Sequence, residues 1–187
     1  MNGDWQWKLA EAVKRMQERY AYVGSKTGAS LLAIVYPPEA ENAVYREWDA
    51  QIARLGPDYD IQTVDVLAIT VQAVADLGSE HVVASIANPM PGSNPEAELG
   101  RMWIKAVTKE IHRRLDNSQA NRPVAVLHNV AALYPATSPR SLLQALWDSD
   151  KPLRGPVIIF IPGKLTEARV YSFLNRGSEV MYRGDII

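Results

Sequence analysis

The chain has 187 residues, 47% hydrophobic and 22% charged, with a formal net charge of −1. That is enough chain for one domain with a substantial core, and its near neutrality argues against a broad phosphate-binding surface. It contains no cysteine, which excludes disulfides and thiolate chemistry and leaves zinc only histidine and carboxylate donors.

His81, His112 and His128 lie far apart and show no ligand spacing. No apolar run reaches eighteen residues, so no membrane span is expected. The start, MNGDWQWKLAEAVKR, lacks the basic end and apolar centre of a secretory signal, and a cytoplasmic protein is expected.

In chain order, Trp5, Leu9, Val13, Met16 and Tyr20 recur at helical spacing and predict a helix over 4–20, with Asp4 as its cap. A turn follows at Gly24–Gly28. Leu31–Tyr36 is the first strong strand, ended by Pro37-Pro38. Glu39–Leu55 reads as a helix with Val44, Trp48, Ile52 and Leu55 inward, stopped by Gly56-Pro57. DIQTVDV at 60–66 alternates, as a short or edge strand does, and Leu67–Leu77 looks helical. HVVASIA reads equally as a strand or a helix tail. Three prolines and a glycine make 88–95 an irregular loop, either an exposed binding loop or a plain linker. A helix from Glu96 to about Leu115 then buries Leu99, Trp103, Val107, Ile111 and Leu115.

The stretch from Pro123 to Gly163 organises the rest. Val124–Leu127 and Val157–Ile161 are nearly continuous apolar runs, as suits parallel strands covered on both faces. Between them, Ser138-Pro139 opens a helix carrying Leu142, Leu143, Leu146 and Trp147. The second strand is expected to stop at Pro162-Gly163, followed by a helix or turn at Thr166–Asn175. The ending MYRGDII is expected to add a strand beside Val157–Ile161, in antiparallel sense as one option. The alternation predicts a single three-layer α/β domain over 1–187, with a mostly parallel sheet of four to five strands flanked by helices.

Chemical motifs are sparse. Gly163-Lys164 lacks the preceding glycine and the following hydroxyl of a phosphate-binding loop, and the first strand ends in YPPE rather than a glycine-rich turn. No standard nucleotide cofactor is expected. A trio of Ser138 or Ser141 with His128 and Asp65 can be drawn, but Ser138 serves more simply as a helix cap. Asp58, Asp60 and Asp65 are the best acidic cluster, yet Asp60 and Asp65 point to opposite faces of one strand. No catalytic residue and no metal site is assigned. Arg113, Arg114, Arg122 and Arg154 are the basic residues a nucleic-acid adaptor would use. What remains is an edge of stiff, aromatic loops: Tyr36, Pro37, Asn129, Tyr134, Pro135, Pro162 and Gly163. Such loops lose little entropy on binding a partner.

The pieces VYPPEAE, DIQTVDVLAI, VAVLHNVAALYP, PVIIFIPG and MYRGDII, taken in this order, resemble the small B component of bacterial BREX phage-resistance systems. The resemblance covers about residues 29–187. It rests on Tyr36, Pro37, Tyr134, Pro135, Leu142, Leu143, Pro162, Gly163, Tyr182 and Arg183. The chain departs from the family at Asn129, where glycine is common, at ATSPR after Tyr134-Pro135, and at Gly184-Asp185. The resemblance implies a non-enzymatic accessory protein that binds or regulates a larger partner, such as the alkaline-phosphatase-like protein of the same machinery. It adds Tyr182 and Arg183 to the partner-binding candidates, implies no cofactor, and offers an indirect association with DNA as an option, leaving direct contact open. A degenerate hydrolase or nucleotide-binding-like enzyme and a nucleic-acid adaptor are the alternatives.

Overall fold

The computed structural model describes residues 5–21 and 31–187. The expected cap Asp4 and the turn at 24–28 lie outside the described residues.

The continuous apolar runs form the centre of a parallel sheet. β1 (Leu31–Tyr36), β3 (Arg122–His128) and the first half of β4 (Val157–Glu167) bury almost every side chain. β2 (Tyr59–Asp65) is the alternating run and takes the edge. β7 (Asp185–Ile186) closes the other edge, and the order is β2-β3-β4-β1-β7 with every pair parallel. Val126 faces Ile158 across the β3–β4 pair, and Leu31 faces Val157 across the β4–β1 pair. The two runs that frame the last third thus lie side by side in one sheet.

Helices cover both faces, as period-2 burial on a doubly covered strand requires. One face holds α1 (Gln6–Ala21) and α2 (Glu41–Ile52). Trp5, Leu9 and Met16 pack there with Val44, Trp48 and Phe160. Lys8 is buried on this face and donates from Nζ to the Val35 carbonyl at 3.0 Å. The other face holds α5 (Pro95–Asn117) and α6 (Pro139–Trp147). Val107, Ile111 and Leu115 pack there with Leu142, Leu146 and Ile159. α3 (Val66–Leu77) and α4 (Ser79–Ala87) lead from β2 into α5 on this side. HVVASIA is therefore helical.

Three expectations need correction. The strand at 157 does not stop at Pro162-Gly163. β4 leaves the parallel sheet there and runs on to Glu167. β3 pairs with β4 only as far as Ile159, so Pro162 sits where that side of the strand is open and its missing N–H costs nothing. Second, Thr166–Asn175 is not a helix. β5 (Val170–Phe173) and β6 (Ser178–Val180) fold back antiparallel on the extension of β4. Third, the terminal strand joins β1, not β4, and is parallel to it. Gly184 permits this turn: its φ is +78°, and a Cβ there would sit 2.6 Å from the Leu31 carbonyl oxygen.

Candidate protein-docking surface

The carboxyl ends of β1, β2 and β3 meet α2 in a network of rings and polar groups. Tyr36 is buried and donates its hydroxyl to Glu41 at 2.7 Å. The Tyr45 hydroxyl accepts from the Asn129 backbone N–H at 3.1 Å. His128 stacks on the Tyr45 ring, with centroids 4.1 Å apart and planes within 9°. Burial raises the Tyr36 and Tyr45 phenol pKa values and lowers that of His128, which favours neutral groups at all three positions. Asn129 adopts a left-handed conformation, φ 57°. Asparagine tolerates that region better than any residue but glycine.

The drawn catalytic trio does not assemble. His128 points to the α2 face, among Tyr45 and Phe160. Ser138 and Ser141 belong to α6 and its cap on the opposite face. Asp65 is already committed: it caps α3 through the Ala68 N–H at 3.2 Å and accepts from Asn129 Nδ2 at 2.9 Å. Ser138 stands at the N-cap of α6 with Pro139 first in the helix, as the simpler reading expects, but its side chain makes no capping bond. A shallow groove of about 370 Å³ lies between α5 and α6, lined by Gly100, Arg101, Ile104, Thr137 and Ser141. Neither His128 nor Asp65 lines it. Among the described residues, no three acidic or histidine side chains converge as a metal site would require.

The four arginines of the nucleic-acid alternative are each engaged within the chain. Arg113 and Arg114 both pair with Glu110, whose carboxyl the two guanidiniums pull down to about 2. Arg122 covers the Tyr59 ring and donates to its hydroxyl at 3.1 Å. Arg154 donates to the carbonyls of Leu115, Asp116 and Ser118, closing the end of α5.

The candidate edge divides in two. Tyr36, Pro162 and Gly163 are buried and present no side chain to a partner. Gly163 lies under the β5 hairpin, where a Cβ would collide with the Ser172 carbonyl oxygen. Its φ of 159° lies at the margin of the extended region, and the close approach of Ser172 excludes any larger residue. Pro37, Tyr134, Pro135, Tyr182 and Arg183 are exposed, and Asn129 is half-buried. Tyr134 and Tyr182 carry the guanidiniums of Arg176 and Arg140 over their rings, and Arg183 covers Trp147.

A second exposed surface meets the sequence candidates only at Met90, in the 88–95 loop. α3 and α4 meet at 87° and turn Leu67, Val71, Leu77, Val83, Ile86 and the following Met90 outward. Val83 is 65% exposed and Met90 75%. No residue of α4 is buried. Globular helices gain most of their stability from a packed apolar face, and among the described residues α4 buries no side chain of its own. One sequence signal pointed here: no lysine or arginine occurs between Arg54 and Arg101. Surface helices of free-standing domains normally alternate charge with their apolar stripe, and this stretch does not.

No single helix among the described residues is long and apolar enough to cross a membrane. No protein-family model matches the chain, and a search of curated proteins gives no match.

Proposed function

We propose that this protein is a non-enzymatic docking component of a BREX-type anti-phage complex, acting in the cytoplasm and binding a larger member of that machinery. The alkaline-phosphatase-like protein is the first partner to test. The sequence resemblance supplies the system, and the α3–α4 face supplies the surface. The observation that carries the reading is a nine-residue apolar helix, α4, with no buried side chain. An exposed apolar surface of this kind marks a protein contact more often than a free surface. Coverage by a partner would complete the core that α3 and α4 leave open.

The test is co-expression with the alkaline-phosphatase-like protein, purification through that partner, and mass measurement of what is recovered. The unaltered chain is expected to co-purify. Val71→Glu combined with Val83→Glu is expected to weaken the association by about tenfold or more, since two charges would be desolvated at the contact. Far-UV circular dichroism should stay the same, because both positions are solvated in the free chain. Failure of the unaltered chain to co-purify, or undiminished recovery of the double variant, overturns the reading.

A further inference from the structure

The outer side of α6 is built differently from the α3–α4 face. Arg140 and Trp147 are seven residues apart, two helical turns, and so share one face. The closing segment runs along that face and pairs with both. The Arg140 guanidinium covers the Tyr182 ring at 5.4 Å, and the Arg183 guanidinium covers Trp147 at 4.9 Å. A third pair has the same form: Arg176, in the β5–β6 turn, covers Tyr134, which precedes α6, at 5.1 Å. All three arginines are exposed.

A guanidinium over a ring is oriented but not neutralised, and the contact leaves the N–H fork free. The carboxylates close to this region in sequence have other partners. Asp185 pairs with Arg15 and Arg19, Glu179 accepts from the Tyr171 hydroxyl at 2.6 Å, and Asp148 accepts from Gln144 at 2.7 Å. Among the described residues, Arg140, Arg176 and Arg183 form no salt bridge. The segment that presents Tyr182 and Arg183 is pinned in turn. Arg169 donates to the Met181 carbonyl at 3.0 Å and to the Gly184 carbonyl at 2.9 Å. Little ordering is left to be done on binding.

We infer that this arginine-over-ring edge of α6 binds an acidic peptide segment of a partner protein, whose carboxylates take the free N–H forks of Arg140, Arg176 and Arg183. Planar guanidinium matches carboxylate with two parallel bonds, and Tyr, Trp and Arg are the side chains that dominate protein contacts. A nucleic-acid strand fits less well. It needs a continuous basic track, and three separate arginines in a chain of net charge −1 do not supply one. Carboxylates on a peptide can be spaced to match them. The edge shares no residue with the α3–α4 face, so loss of either binding leaves the other readable.

The experiment uses the full chain and fluorescence anisotropy, with a labelled glutamate-rich peptide and a labelled oligothymidylate of equal charge as probes. The peptide is expected to bind, more weakly as salt rises. Arg140→Gln with Arg183→Gln should weaken it by about tenfold. Arg113→Gln with Arg114→Gln should leave it unchanged, since Glu110 already holds both. Should the first pair melt early, Arg176→Gln in its turn carries the same expectation alone. The inference is overturned by an absence of peptide binding, by equal loss in the Arg113/Arg114 pair, or by tighter binding of the oligothymidylate that the Arg140/Arg183 pair abolishes.

Discussion

His128 shows how a single side chain acquires a role that its neighbours in sequence do not announce. Strand alternation sends it to the α2 face, where Tyr45 supplies a flat ring 83 positions earlier in the chain. Its Nε2 is buried without a hydrogen-bond partner. Burial lowers its pKa below the ordinary 6.5, and the charges of Asp49, Asp65 and Glu41 offset this only in part. The unfolded chain therefore takes up a proton near pH 6.5 that the folded chain refuses until lower pH. Stability should fall as pH drops below about 6.5 and level off beneath the folded-state value. His112, also lowered by burial, acts in the same window. His128→Phe keeps the stack and removes one titration. Thermal melts across this pH range are expected to show a shallower decline for the variant, and an identical decline would refute the assignment. Nothing in the sequence pairs Tyr45 with His128, so this contact was not legible, whereas the burial of Leu31–Tyr36 was, because consecutive apolar residues have only one stable place.

Among the elements, helices and central strands follow their apolar spacing closely, and the misreadings cluster where two rules compete. Proline removes a donor, so Pro162 reads as a stop. The topology opens that side of β4 first, and the strand continues. The Thr166–Asn175 hairpin was missed for the same reason: a strand already ended cannot be extended. Gly163 is the joint between the two halves of β4. Gly163→Ala would press a methyl into the Ser172 carbonyl. A loss of about 1–3 kcal/mol is expected, as overpacking typically costs, seen as a lower denaturant midpoint. Unchanged stability would mean the hairpin can lift from β4 at no cost. Of the exposed candidates, Pro37, Tyr134 and Pro135 were legible as turn chemistry, whereas Tyr182 and Arg183 entered only through the resemblance. The α3–α4 face was not legible, because an apolar helix reads as core until the surrounding structure fails to cover it.

At the scale of the molecule, one sheet divides the apolar residues into two clusters, Leu9 and Trp48 on one side and Ile111 and Leu146 on the other. Both lean on the same strands, so neither should survive without the other. Leu9→Ala and Leu146→Ala are each expected to cost about 2–5 kcal/mol. Each should move a single transition in which tryptophan fluorescence and far-UV ellipticity change together. Two separate steps in either variant would show that the faces unfold independently. The three-layer plan was legible from the alternation of elements. The order of the strands was not, because the contact between β1 and β4 joins segments more than a hundred residues apart.

A helix that buries none of its own side chains has a dynamic consequence. The backbone amides of Ser79–Ala87 open to water without breaking any core contact. In deuterated solvent they should be the first helical amides to exchange, well ahead of α5 and α6. Once a second protein sits on Val71 and Val83, the same amides should become slow while those beside Tyr182 keep their free-state rate, and the isotope pattern would then map the footprint directly.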